Sequence, residues 1–347
     1  MLRMAVLTFL ATLGLCTSAL ADAYSTRPSD EVIREATAAC TRGSVSPPSD
    51  IIGISDPHTL DPGVVELIAE SGVKWVRAEF HWSRIQQYTN SDYYDWREYD
   101  RMVDNFNAKG IKVAGILTYI PSHLPPDWAV IDSQFQRFAA AAVERYAAKG
   151  VHYWEVFNEP NLTGYGWLPK YVNARDFLGA YTLLLARANQ IIRSHDPDGV
   201  VILGGLASDN HGGIRAEETM KFIYDRGGKD CFDVFAFHPY GYQNQFPAAR
   251  SRVRSIMSAG NDLDKPIWFN EYGWIDYKAM DMAVNETAQT NPMMAVFSQK
   301  DQADALFWFA AKDYSAKWGT PTFGLADFNL KKRKSLKTFQ QLMQKEN

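Results

Sequence analysis

Two stretches of the chain carry residues able to do chemistry. The first, Tyr153-Trp154-Glu155-Val156-Phe157-Asn158-Glu159-Pro160-Asn161, starts as an apolar, aromatic run of strand length and ends abruptly in an amide, a carboxylate and a proline. Such a run reads as a buried strand whose C-terminal tip delivers polar groups into a site. Pro160 supports the boundary, because it lacks an N–H and pushes Glu159 towards an extended conformation. The second, Pro266-Ile267-Trp268-Phe269-Asn270-Glu271-Tyr272-Gly273, repeats the design 112 positions later. Two carboxylates at the tips of two apolar strands are what cleavage of a glycosidic bond requires, one as acid/base and one as nucleophile or base.

These tips need a scaffold that brings them together. Short apolar strands fall at 51–54, 74–80, 111–117, 153–159, 200–203, 233–237, 266–270 and 305–309. Helical patterns lie between them, at 62–69, 97–109, 134–149, 175–195, 216–225 and 248–259. A further helix is expected within 278–299, interrupted near Asn291-Pro292, and a last one at 335–345. Asp61 is placed to cap the first of these, and Gly110 and Gly150 to close two others. Eight strands alternating with helices predict a single-domain (β/α)8 TIM barrel, an α/β fold. A doubly wound open sheet is the alternative, weakened because no Gly-rich phosphate turn follows an early strand.

Residues 1–23 read as a cleaved signal peptide, with Arg3 as the positive region, an apolar stretch from Met4 to Leu15 and an Ala-x-Ala site. The apolar stretch is short for a membrane span, so no membrane anchor is expected and the mature chain belongs in the periplasm or outside the cell. Residues 24–50 form an N-terminal leader with a short helix near 30–39, and 51–347 form the catalytic domain. The net charge of −4, with no long basic run, argues against a nucleic-acid partner. Cys40 and Cys231 remain after residue 23; an oxidising compartment permits a bridge between them, and the sequence leaves their distance open.

A barrel collects the C-terminal ends of its strands on one face. The strands deliver Arg77, Glu79, His81 and Trp82 from the second; Tyr119 and His123 from the third; Asn158 and Glu159 from the fourth. The later ones bring His238 and Tyr240, then Glu271 and Tyr272, then Trp308. Glu155 stays outside this set as a paired structural carboxylate, and Glu79 as a possible partner of Arg77. The seven histidines are scattered without H-E-x-x-H, no cysteines stand at ligand spacing, and no G-x-S-x-G occurs. Metal ions, cofactors and a nucleophilic serine are therefore not expected.

With Asn158-Glu159, Glu271, Arg77, His238-Pro239-Tyr240 and Trp308 in this order, the chain from Ile51 to Asp327 resembles the clan A glycoside hydrolases. Within that clan it looks most like the family 39 and family 5 enzymes. The resemblance implies that Glu159 is the general acid/base and Glu271 the nucleophile of a retaining double displacement. It implies that Asn158 binds the sugar 2-hydroxyl, that Tyr240 and Arg77 hold Glu271 ionised, and that His238 binds substrate or positions Glu159. Trp308 would be the floor under the cleaved sugar, and His123 joins the substrate-binding candidates. Independently, an acid has to start protonated near neutral pH, which burial among aromatics such as Trp154 and Phe157 favours.

Aromatic residues at Tyr165, Trp167, Tyr171, Tyr242, Trp274, Tyr277 and Trp318 follow strands and suit the apolar faces of sugar rings. The expected partner is a polysaccharide or oligosaccharide with β-linkages, attacked internally, and the Met-rich segment from Asp276 to Gln299 could close one end of the cleft. Other outcomes stay open: a carbohydrate-binding protein on the same scaffold, or a transglycosylase using the same intermediate.

Overall fold

The computed structural model describes residues 28–88, 93–125, 127–162, 174–208, 213–242, 245–274, 286–314 and 322–345. The signal peptide assigned to 1–23 lies outside the described residues.

The strands are β1 Ile51–Ser55, β2 Trp75–His81, β3 Lys112–Thr118, β4 Tyr153–Val156, β5 Val200–Leu203, β6 Leu206–Ala207, β7 Phe235–His238, β8 Ile267–Tyr272 and β9 Ala305–Phe309. All pair in parallel, in the order β5-β4-β3-β2-β1-β9-β8-β7-β6. A parallel bridge between Ile202 and Val234 joins β5 to the start of β7 and closes the ring. The eight expected strands make the barrel, and the two-residue β6 is added beside β7. The protein is a single-domain (β/α)8 barrel.

Ten α-helices are found among the described residues: α1 Asp30–Ala38, α2 Pro62–Glu70, α3 Trp82–Ile85, α4 Arg97–Ala108, α5 Trp128–Ala147, α6 Ala174–His195, α7 Ala216–Asp225, α8 Phe246–Ala259, α9 Glu286–Phe297 and α10 Lys334–Met343. Helix α4 shows the sequence logic: Tyr99, Met102, Val103 and Phe106 recur on one face and are buried against the barrel. Gly110 follows that helix at φ 67°, a left-handed position that glycine adopts without a Cβ clash. Two helices differ from expectation. Helix α5 starts at Trp128, because Asp127 accepts a hydrogen bond from Ala129 N and caps it early. Helix α9 runs through Pro292, and Gln289 ties it to the carbonyls of Phe323 and Gly324.

Strand alternation divides the side chains in two. Ile51, Trp75, Tyr153, Val200, Val234, Trp268, Ala305 and Phe307 fill the barrel's lower interior, whereas the alternate residues join the larger core beneath the helices. Above that apolar plug lies a layer of polar side chains, Ser55, Arg77, Glu155, His238 and Asn270, all buried. The N-terminal leader packs α1 against α6 and is joined to the barrel's other end by a disulfide between Cys40 and Cys231, with Cα atoms 4.9 Å apart.

Candidate active site

Three local distortions aim the site residues. On β4, Glu155 points into the barrel and Val156 away from it, but Phe157 stands at φ 59° and packs its ring against Phe135 of α5. That turn resets the alternation, so Asn158 comes within hydrogen-bonding reach of Arg77. Glu159 follows at φ 45°, with its N–H donating to Gly205 O. On β8, Phe269 pairs with Leu306 and Tyr272 with Trp308, so three steps on one strand match two on the other. This bulge lets the adjacent Asn270 and Glu271 both face the interior. After β3, Tyr119 stands at φ 62°. Non-glycine residues with left-handed backbones are uncommon, and three at the same rim mark strain where function resides.

The two glutamates meet. A carboxylate oxygen of Glu159, one of Glu271 and a ring nitrogen of His238 all lie within 4.8 Å of one another. His238 Nδ1 is 2.9 Å from Glu159 Oε1 and 3.9 Å from Glu271 Oε2. On its other side, Glu271 accepts from Arg77 Nη1 at 2.9 Å and from the Tyr240 hydroxyl at 3.0 Å. This trio also has the spacing of a metal-ligand set, but the Arg77 guanidinium already holds Glu271 and would oppose a cation there.

Arg77 is the hub. Its Nε and Nη2 donate to Glu155 at 2.6 and 2.8 Å, Nη1 to Ser55 at 3.0 Å and to Glu271, and Nη2 to Asn158 Oδ1 at 2.6 Å. All five guanidinium N–H groups thus have protein acceptors. Glu155 in turn accepts from Gly205 N and Asn270 Nδ2, each at 2.8 Å. Left outside the site by the sequence reading, Glu155 is the buried acceptor on which Arg77 rests. Gly205 has to be glycine: a Cβ there would come 2.1 Å from His238 Nε2.

Burial sets the charges. It drives His238 down from its ordinary value to about 4, so the imidazole is neutral at neutral pH. Burial also pushes the Glu271 carboxyl above the ordinary carboxylate range, and the negative charge of Glu159 adds to the rise. Arg77 and Tyr240 act in the opposite direction without cancelling it. The expectation that they hold Glu271 ionised therefore describes a restraint on a raised carboxyl.

The structure separates the remaining candidates. Trp308 is 1% exposed, pairs with Tyr272 and Ile54, and packs in the core beneath the helices, so it is no floor for a sugar. By strand alternation the inward residue is the next one, Phe309, whose ring meets Phe323 and Tyr314 beside Tyr240. Trp82 likewise turns away, stacked on Phe138. His123 lies in the turn after β3, partly buried, with its Nε2 enclosed and without a hydrogen-bond partner among the described residues. Tyr242 and Trp274 pack partly on the core. Tyr165, Trp167, Tyr171, Tyr277, Trp318 and the Met-rich segment's first half lie outside the described residues.

The sequence model of the cellulase family, glycosyl hydrolase family 5, matches residues 55–315. No curated protein sequence matches the chain. Among solved structures, a monomeric β-xylosidase from Caulobacter crescentus superposes with a TM-score of 0.64 at 20% identity, covering 87% of this chain and 69% of that one. A family 39 glycoside hydrolase from Bacteroides cellulosilyticus gives 0.62 at 16%, covering 85% and 64%, so this chain spans under two thirds of that enzyme's length. A glucosidase from Croceicoccus marinus gives 0.66 at 14%, covering 88% and 68%. At such identities the structural likeness speaks for the fold.

Proposed function

Because the chain belongs to glycosyl hydrolase family 5, we propose that it cleaves β-linked bonds in a polysaccharide or oligosaccharide by double displacement, with retention of configuration. The observation that carries this reading is the approach of Glu159 and Glu271 to within 4.8 Å between carboxylate oxygens. Retaining pairs stand about 5–5.5 Å apart, whereas inverting pairs need about 6.5–9.5 Å to admit a water.

The partners of each carboxylate support the division of labour. Glu271, held by Arg77 and Tyr240, attacks the anomeric carbon; the bond to the leaving oxygen breaks as Glu159 gives it a proton. A water then attacks the glycosyl-enzyme while Glu159 takes back a proton, and Glu271 is released. His238 hydrogen-bonds Glu159 and fixes its orientation without bringing a charge. Asn158 accepts from Arg77 through Oδ1, which leaves its amide N–H group for a sugar hydroxyl. Phe309 takes the place assigned to Trp308 as the apolar surface beside the sugar.

The test is reducing-end release from a panel of β-glucans, xylans, mannans and bacterial exopolysaccharides. The native chain is expected to release ends from at least one, and Glu271→Gln to lose at least about 10³-fold in kcat. Release that survives the substitution would move the chemistry elsewhere. Binding without release by the native chain would favour a carbohydrate-binding protein.

The chain also acts outside the cytoplasm in this reading. The signal-like N-terminus and the Cys40–Cys231 bridge support it, since such bridges persist in oxidising compartments.

A further inference from the structure

A second polar cluster stands at the rim beside the catalytic pair and has no part in the chemistry above. Glu79 shares the inward face of β2 with Arg77, two residues further towards the C-terminal end. That spacing sets it about 6–7 Å further along the strand than Arg77, beyond the layer that holds the catalytic pair. One carboxylate oxygen of Glu79 accepts from the Tyr119 hydroxyl at 3.0 Å, and the other lies 2.6 Å from His81 Nε2. The imidazole also packs on the Tyr119 ring, with centroids 4.5 Å apart. Tyr119 is held in its left-handed backbone conformation at this contact.

This cluster is a built acceptor. Burial alone would raise the Glu79 carboxyl, but the hydrogen bond from His81, the charge of Arg77 and the Tyr119 hydroxyl together hold it below the ordinary range. An ionised carboxylate offers about four acceptor positions, and two are used by His81 and Tyr119. The group keeps 15% of its side-chain surface exposed, which leaves the remaining positions room for a donor from outside the protein. Arg77, by contrast, has no donor left for a substrate.

Resting on the hydrolase reading, we propose that Glu79, braced by His81 and Tyr119, is a subsite for the sugar unit next to the one being cleaved. It recognises hydrogen-bond donors, so it takes neutral or amino sugars and rejects uronic acids. Hydrogen bonds to a charged acceptor are strong and directional, which is why one carboxylate can select the ring's hydroxyl or ammonium groups.

The experiment compares one-sugar and two-sugar substrates: 4-nitrophenyl β-glucoside with β-cellobioside, and β-xyloside with β-xylobioside. In Glu79→Gln, the preference for the two-sugar member of the cleaved pair, in kcat/KM, is expected to fall about tenfold or more. Tyr119→Phe, which keeps the ring, should move the ratio the same way by less. Equal losses on both members would place Glu79 in the chemical step and overturn the subsite. An unchanged ratio would overturn it too. Calorimetric titration of the native chain with cellotetraose, a glucosamine tetramer and a glucuronic acid tetramer separates the sugar classes. Binding of either of the first two, and not the third, is expected. A uronate bound as tightly as the neutral sugar would sink the proposal. Should the native chain cleave none of the aryl glycosides, the hydrolase reading is decided by the polysaccharide panel and the subsite by binding: Glu79→Gln must weaken the sugar binding about tenfold.

Discussion

The two ends of the barrel handle charge in opposite ways. At the N-terminal end, where the leader is fastened, charges are matched locally. Arg193 pairs with Asp233 at 2.6 Å, and Asp233 also accepts from Gly43 N. Arg42 meets Asp262 and Asp264, and Lys265 meets Asp262 at 2.7 Å while lying 3.6 Å from the centre of the Phe232 ring. At the C-terminal end, Glu155 and Glu271 share the single guanidinium of Arg77, with Glu159 close by and facing a neutral imidazole. The first arrangement fixes a strap. The second leaves carboxylates under-compensated and hence chemically usable, as expected where function outweighs stability.

The largest contrast between the ends should come from removing one guanidinium at each. Arg77→Met strands Glu155 in the barrel with only Gly205 N and Asn270 as donors, and should cost about 3–5 kcal/mol by denaturant unfolding. It should also lower kcat by at least about 10²-fold, because Glu271 and Asn158 lose the group that positions them. Arg42→Met removes a side chain that is 35% exposed, paired mainly with the exposed Asp264, and should cost less than about 1 kcal/mol with kcat/KM unchanged. Equal destabilisation by the two would mean that the ends are not different after all.

A middle-sized effect belongs to the strap. The Cys40–Cys231 bridge closes a sequence separation of 191 residues, and Cys40→Ser with Cys231→Ser should lower stability by about 2–5 kcal/mol. Activity on a soluble substrate below the melting range should stay as in the native chain, since the bridge lies at the end away from the glutamates. Protein isolated from its own host should contain no titratable thiol at these positions if it is exported. A free thiol there would argue for a reducing compartment.

How much of this was legible in the sequence depends on whether a residue's place is set locally. The strands and most helices follow from apolar runs and caps, and so do the strand-tip positions of Arg77, Asn158, Glu159, His238, Tyr240 and Glu271. Trp308 was misjudged because proximity to a strand end does not fix which face a residue takes; register with Ile51–Ser55 and Tyr272 does, and it hands the inward position to Phe309. Glu155, read from the sequence as a paired structural carboxylate, is one: it is buried and paired with Arg77, although strand periodicity alone would put it on the face of Glu159. The left-handed turn at Phe157 breaks that phase and leaves Glu155 one layer lower, under Arg77. The bulge at Asn270-Glu271 and the Cys40–Cys231 pairing are also relations between distant segments, which a one-dimensional reading cannot measure.

The smallest effect separates the two ends by pH. His238, facing Glu159, Glu271, Arg77, Glu155 and Asn270, is held down to about 4 by burial. Its neutral form therefore contributes stability that is fully present above about 6.5, the ordinary histidine value, and is lost as pH falls towards 4. Glu271 runs the other way, because its raised carboxyl makes ionisation costly as pH rises, and it blunts the slope. At the strap end, burial lowers Lys265 from 10.5 to about 8. The folded chain then releases this proton before the unfolded one does, so stability gains between about pH 8 and 10. Thermal melting across pH 4–10 should show both windows, with His238→Gln flattening the acid one and Lys265→Met the alkaline one. If either substitution altered both slopes alike, the two ends would be coupled through the barrel core, and the division of labour between strap and site would not hold.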